Sequence, residues 1–351
     1  MKIDLRSDFV ARPTEAMVEA MFRAAALPGG FGPREDSTVS RLEALAATTL
    51  GKEDALFVPT CTMANQIAIH LCCRPGEMFL TEEDAHVVTS ESAAASALSG
   101  AMPRLTPATN GAFDPEGLVT AMEFGNAQRG RLALVLQENT HVRSGGRVVA
   151  YESMKQISEL AHSRGVPVHL DGARIFNAAT ALSRPAADLA ALADTVSFNL
   201  NKGLGAPLGA ILAGTRDVIS EAVRVRQMFG GGWRPVGVLA AAGIVAIDRM
   251  IGRLGDDHVH AKQLATGLAE IDGILIDPAL TETNIVLAQT TKMDPETLSV
   301  SLAKLGVLVL PYASQIRLVT HHEITRDSVE KTLAAFRIVL AGENHGPSAW
   351  C

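Results

Sequence analysis

Apolar and polar positions along the chain follow two alternating periods, and these define the expected elements. In residues 36–51, DSTVSRLEALAATTLG, Val39, Leu42, Leu45 and Ala46 share one helical face. Polar N-cap candidates precede that face and Gly51 offers a stop. Residues 62–73, TMANQIAIHLCC, place Met63, Ile67 and Leu71 at i, i+4 and i+8, and Pro75-Gly76 ends this second helix. MKQISELAHSRG predicts a third. Between the helices lie short apolar runs: DALFVP, LALVLQEN at 132–139, VPVHL leading into Asp171, TVSFNLNKG and GAILAG. A run that stays apolar and then turns polar suits a strand buried on both faces. Helix and strand patterns in alternation predict an α/β fold with a largely parallel sheet.

The texture changes beyond residue 250. LAEIDGILIDPALTETNIVLAQ, LSVSLAKLGVLVLPYASQIRLVT and SVEKTLAAFRIVLAG read as strand, helix, strand, helix of a small α/β lobe. The expected organisation is an N-terminal segment, 1–24, packing with the small lobe, a large domain over 25–252 and a small C-terminal domain over 253–345. The tail GENHGPSAWC is expected to fray. A 47% apolar composition supports a substantial core, and a net charge of −7 argues against nucleic acid as a partner. The longest run of apolar residues and glycine, VGVLAAAGIVAI at 236–247, is too short for a bilayer, which takes about 20 residues. MKIDLRSDFVARP carries no apolar leader segment, so a soluble, cytoplasmic protein is expected. Cysteines 61, 72, 73 and 351 match neither a disulfide framework nor a zinc spacing, and the adjacent pair reads as small buried side chains.

Parallel sheets present their ligands at the carboxyl ends of the strands. Three predicted strand ends carry chemistry there: Glu138, Asn139 and His141 after one, Asp171 and Arg174 after another, Lys202 after a third. Singly, each has an ordinary reading. Asp171 could cap a helix over GARIFNAA, a histidine after a strand is often hydrogen-bonded structure, and a lysine is usually solvated. Lys202, however, stands between an apolar strand and the turn GLGAP, whose glycines keep side chains away from the amine. VPTCTMANQ at 58–66 reads as strand, turn and helix, with Thr60 and Thr62 at the helix start. Free N–H groups there suit a phosphate, although plain N-capping would use the same residues. An acid, a sheltered lysine and an anion cradle are together what pyridoxal phosphate requires: a Schiff-base amine, a carboxylate for the pyridine nitrogen and a phosphate site.

These segments together resemble the L-threonine aldolases of the β-eliminating lyase family. IDLRSDFVARPTEAM, LFVPTCTMANQIA, QENTHVRSGGRVV, HLDGARIFNAA, VSFNLNKGLGAPLGA, GGGWRPVGVLAAAG, TNIVLAQ and IRLVTHHEIT occur in the family's order across nearly the whole chain. The resemblance implies the aspartate-aminotransferase-type fold of the type I PLP enzymes and retro-aldol cleavage of a β-hydroxy-α-amino acid to glycine and an aldehyde. It also implies the roles of individual residues. Lys202 carries the Schiff base, Asp171 faces the pyridine nitrogen, and Cys61 and Thr62 hold the phosphate turn. His86 stacks on the cofactor, and His141 lies near the substrate hydroxyl. Arg174 and Arg317 bind the substrate carboxylate with help from Ser7. The resemblance also sets Arg234 near the phosphate, reaching across a subunit interface, since the family forms homotetramers, dimers of dimers with shared active sites. No metal is implied.

Departures from the family pattern cluster around the substrate. Pro33-Arg34-Glu35-Asp36-Ser37 replaces a segment with a tyrosine, Ser90 stands where an aromatic follows the stacking histidine, Val142 follows ENTH, and Cys61 replaces a glycine. With two aromatics gone and Arg34 adding charge, a bulkier or acidic substrate is expected. Rival readings are a same-fold racemase or β-eliminating lyase, and a catalytically silent binder. A nicotinamide enzyme is weaker, because the glycine clusters lack the Gly-x-Gly-x-x-Gly spacing.

Overall fold

The apolar runs assemble into one seven-stranded sheet. The computed structural model describes residues 2–122 and 130–342, so Cys351 and the tail beyond 342 lie outside the described residues. The strands are β1 (Asp54–Val58), β2 (Met78–Glu82), β3 (Met102–Thr106), β4 (Leu132–Glu138), β5 (Val168–Asp171), β6 (Thr195–Asn199) and β7 (Ala210–Gly214). Their order is β1-β7-β6-β5-β4-β2-β3. Only β7 runs antiparallel to its neighbours, β1 and β6. The reason is local: the link from Asn199 to Ala210 is shorter than the parallel crossover, which needs about a dozen residues and usually a helix. Leu56, Phe57, Leu80, Val135, Leu136, Leu170 and Phe198 are fully buried, as strands covered on both faces require.

Helix α1 (Glu15–Ala24) packs on the helix Gly237–Val245, and α2 (Ser37–Leu50) packs on that helix and on β1. Asp36 caps α2, accepting from the N–H groups of Thr38 and Val39, and Gly51 ends it at φ 63°. Helix α3 (Cys61–Cys72) starts one residue earlier than the apolar pattern suggests, because the Thr60 side chain accepts from Met63 N. The predicted stripe of Met63, Ile67 and Leu71 is not its deepest face. Met63 and Leu71 are half-buried, whereas Cys61, Ala64, Asn65 and Ala68 are buried, polar Asn65 completely. Among the described residues, no helix is long and apolar enough to cross a membrane.

The chain divides into two compact units. Residues 12–252 form the large one, and residues up to Ala11 group with those from Arg253 onward. In the smaller unit, Ile3–Asp4 pairs in parallel with Val307–Leu308, and Val319 N donates to Leu5 O at 2.8 Å. Its four-stranded antiparallel sheet follows the order Ile274–Leu275, Ile285–Thr290, Gln315–Val319, Leu310–Tyr312. Leu5, Leu264, Leu298, Leu318 and Phe336 form its core. Residues 12–24, expected in the N-terminal segment, belong instead to the large unit through α1.

Arg34 does not present its charge to a ligand. Its Nε donates to Glu43 Oε2 at 2.9 Å, its two terminal nitrogens each reach Asp54 at 2.8 Å, and Nη2 also reaches Ala55 O. Burial pushes the Glu43 carboxyl up, and Arg34 and the Phe57 N–H oppose that rise. The guanidinium therefore fastens the segment before α2 to the edge strand β1. Arg34→Ala leaves the Glu43 carboxylate, 1% exposed, without its main partner. A loss of about 3 kcal/mol of unfolding free energy is expected. Arg6→Ala, which breaks an exposed pair with Asp4, should cost under about 1 kcal/mol in the same denaturant titration.

Candidate active site

Strand pairing sets three polar side chains in one row at the carboxyl edge of the sheet. Glu138 lies opposite Asp171, and Asp171 opposite Ser197; one step back along the strands, His169 lies opposite Thr195. Side chains two apart on a strand share a face, so His169 and Asp171 point the same way, as do Thr195 and Ser197. Cys61 and Asn65, one helical turn apart on α3, meet them. Cys61 Sγ lies 3.3 Å from Ser197 Oγ and 3.9 Å from Asp171 Oδ1. Asn65 Nδ2 donates to Asp171 Oδ2 at 2.7 Å, and Asn65 Oδ1 accepts from Ser197 Oγ at 2.8 Å.

Asp171 is 2% exposed, and its other oxygen accepts from Ala173 N at 3.0 Å. It is not a helix N-cap: the next helix, Ile175–Leu182, begins with Arg174 at the cap position. Gly172 belongs here because a Cβ would stand 2.8 Å from Ser197 O. Arg174 is buried beside the same strand end.

Lys202 is half-buried in the loop from β6 to β7, and its ammonium bears on both the Cys61 thiol and the His86 imidazole. The glycines after it serve the backbone as well as space. Gly205 closes a turn at φ 73°, its N–H on Lys202 O at 2.8 Å; Gly209, at φ 111°, would drive a Cβ to 2.4 Å from Phe57. Burial drives the Cys61 thiol well up, with the Asp171 charge adding to the rise and Lys202 opposing it. Cys61 has no positive φ, so replacing glycine there introduces no left-handed strain. Thr62 follows it, half-buried in the first turn of α3.

The two histidines differ in their partners. His86 opens α4 (His86–Thr89), its backbone N–H on Glu138 Oε2 at 2.6 Å and its Nδ1 2.9 Å from Glu91 Oε1. Burial disfavours its charge, but the Glu91 hydrogen bond and the charges of Asp171 and Glu91 outweigh that, and the imidazole titrates above the ordinary value. His141, 4% exposed, has both nitrogens engaged: Nε2 lies 3.0 Å from Glu82 Oε1 and Nδ1 2.8 Å from Ser144 Oγ. Glu82 and Glu138 raise its pKa against burial. Burial and the Asp171 charge push Glu138 up in turn, opposed by His141 and by the N–H groups of His86 and Val142.

Sequence reasoning missed Asn65, Gln66, Glu91, His169 and Ser197. Glu91 accepts from Asn65 and Gln66 at 2.9 and 2.8 Å, and His169 links Asn65 to Thr195. The available signal was polar residues at period two inside apolar strands, VHLD and TVSFN, with Cys61 and Asn65 at i, i+4.

The remaining predicted residues lie apart from this cluster or in the other unit. Arg234 is exposed, and its guanidinium donates to Phe31 O and lies 6.0 Å from the Phe31 ring. Ser7 and Arg317 belong to the smaller unit. There Ser7 is buried, and Arg317 donates to Arg6 O at 3.2 Å with its guanidinium 5.6 Å from the Tyr312 ring.

Comparison with known proteins adds an independent line. The family model described as Beta-eliminating lyase matches residues 4–291. Low-specificity L-threonine aldolase 1 of Arabidopsis thaliana is 39% identical over 344 residues, covering 95% of each chain. The low specificity L-threonine aldolase of Escherichia coli (strain K12) is 36% identical, covering 97% of this chain and 99% of that one. The solved threonine aldolase of Leishmania major shares the fold with a TM-score of 0.82 at 20% identity, covering 96% and 99% of the two chains.

Burial holds His169 neutral down to about pH 4, against 6.5 for a free imidazole. The unfolded chain therefore binds this proton first, and stability contributed above pH 6.5 is lost as pH falls toward 4. A nitrogen-resolved NMR titration should show His169 neutral at pH 5 while His86 and His141 are protonated, and His169→Gln should flatten the acid slope of stability.

Proposed function

The chain belongs to the Beta-eliminating lyase family, and on that premise we propose how its residues carry out the cleavage of a β-hydroxy-α-amino acid. The enzyme is a pyridoxal-phosphate-dependent carbon–carbon lyase of the threonine aldolase kind. The residues present fit the cofactor. Asp171 is a buried acid at the sheet edge, Lys202 bears on the same cluster, and the first turn of α3 leaves the N–H groups of Cys61 and Thr62 for an anion while Thr60 takes that of Met63.

When bound, pyridoxal phosphate supplies a conjugated electron sink for the pair released at Cα. Lys202 would hold its aldehyde carbon, Asp171 would keep a proton on the ring nitrogen, and Cys61 and Thr62 would hold the phosphate. Arg174, with Arg317 and Ser7 assigned from the motif resemblance, binds the substrate carboxylate and so orients the Cα–Cβ bond for cleavage. His86 is the base for the β-hydroxyl proton. A carboxylate accepts but does not donate, so Glu91 Oε1 keeps the His86 proton on Nδ1 and leaves the Nε2 lone pair available. His141, engaged at both nitrogens, instead fixes the wall around Glu82 and Glu138. This difference in engagement is the observation that separates the two histidines.

A bulkier or acidic β-substituent is proposed on Ser90 and Arg143, not on Arg34. Ser90 is small and exposed, and Arg143 reaches the Thr89 and Ser90 hydroxyls at 3.2 and 3.3 Å. A cytoplasmic homotetramer, with Arg234 serving a neighbouring chain, is proposed on the resemblance and on the exposure of that arginine.

Lys202→Ala should abolish the visible Schiff-base absorbance, remove borohydride-fixed pyridoxyl label and lower turnover by about 10³-fold or more. Glycine and an aldehyde should be the products of the wild type; a D-amino acid or ammonia would point to the rival chemistries. In a substrate panel, phenylserine or β-hydroxyaspartate should rival threonine in kcat/KM, and a clear preference for threonine and allo-threonine over all larger substrates would refute the substrate assignment. Because the His86 pKa is raised and the base must be neutral, kcat/KM should climb through a limb above the ordinary histidine value. His86→Asn should remove that limb with a loss of about 10²–10⁴-fold.

A further inference from the structure

We propose that Asn65 is a positioning residue whose single carboxamide lets two adjacent buried carboxylates, Asp171 and Glu91, carry charge together, and so couples the cofactor end of the site to the His86 end. The proposal rests on the assignment of Asp171 and His86 to those ends.

Asn65 is 0% exposed, and its hydrogen-bonding capacity is fully used. Nδ2 donates to Asp171 Oδ2 at 2.7 Å and to Glu91 Oε1 at 2.9 Å; Oδ1 faces Ser197 Oγ at 2.8 Å and His169 Nε2 at 3.0 Å. A carboxamide has two N–H donors and two lone pairs, and all four are engaged. The reverse orientation would aim its oxygen at two carboxylates, so the network allows one orientation only.

Facing oxygens of Asp171 and Glu91 and a ring nitrogen of His86 all lie within 4.8 Å of one another. Two carboxylates that close, out of water, ordinarily share a proton. A proton on Asp171 would cost the ring nitrogen its partner, and a proton on Glu91 would cost His86 its acceptor. The amide hydrogens of Asn65 lie between them, with Gln66 Nε2 on the far oxygen of Glu91 at 2.8 Å. The charged groups that face His86 are Glu91, Asp171, Lys202 and, at its backbone N–H, Glu138.

The test is a double-mutant cycle on the holoenzyme, reading the dissociation constant of pyridoxal phosphate and the pH at which the bound chromophore titrates. Asn65→Leu should weaken cofactor binding by about 30-fold, the loss of a charge-assisted buried hydrogen bond. Adding Glu91→Gln should then restore binding to within about fivefold of Glu91→Gln alone, because the repulsion the amide relieves is gone. Simple structural damage would instead add. The isosteric Asn65→Asp keeps the shape but sets a further carboxylate against Asp171, so it should lose at least as much cofactor affinity and should not be rescued by Glu91→Gln, which keeps the affinity test available if the leucine variant does not fold. Glu91→Gln by itself should move the acid limb of kcat/KM to lower pH. Unchanged cofactor affinity in a folded Asn65 variant, or absence of rescue of Asn65→Leu by Glu91→Gln, would overturn the proposal. Cofactor affinity is read without turnover, so a wild type that binds pyridoxal phosphate but releases no glycine would overturn the reaction assigned above and leave this coupling standing.

Discussion

A carboxylate at 2% exposure must be given donors, and much of the site follows from meeting that requirement at Asp171. The turn offers Ala173 N, and the helix above supplies the Asn65 amide and, at 3.9 Å, the Cys61 thiol. That places a polar residue on the covered face of α3, where an amphipathic helix would carry an aliphatic one. Asn65 in turn brings polar partners on the strands beneath, Ser197 and His169, and His169 brings Thr195. A layer that would otherwise be aliphatic has become a hydrogen-bonded one, and its members hold one another in single orientations.

The topology supplies the rest of the geometry. Parallel pairing of β4, β5 and β6 brings their carboxyl ends level, so that Glu138, Asp171 and Ser197 lie in one row. The antiparallel return into β7 makes the Lys202 loop a tight one, closed by Gly205 and Gly209. Glu138 contributes by taking the backbone N–H groups of His86 and Val142, which ties the two histidine segments to a single strand end.

Some residues of the candidate site were legible because chemistry and position coincide in the chain. Asp171 and Lys202 each end an apolar run, where a polar side chain is conspicuous. Arg34 was misread because its partners, Glu43 and Asp54, are far enough away in sequence that nothing local marks a guanidinium as engaged. Glu91 and Asn65 were passed over for the opposite reason. Asn65 sits inside α3 and Glu91 in the bend that follows α4, places where a polar residue ordinarily faces water, and only the packing of neighbouring elements makes them interior.

The alternation of periods determined an α/β fold, the order of the ordered motifs determined the family, and apolar runs ending in an acid or an amine marked the strand ends that matter. Those are properties of consecutive residues, and local sterics and burial impose them wherever the chain goes. Which histidine keeps a free nitrogen, which arginine is committed to an ion pair, and which amide bridges two carboxylates were decided by tertiary structure alone. Hydrogen bonds of that kind join residues such as Asn65 and Asp171, 106 positions apart. Their partners are set by which faces meet when helix and sheet pack, and no linear pattern carries that information.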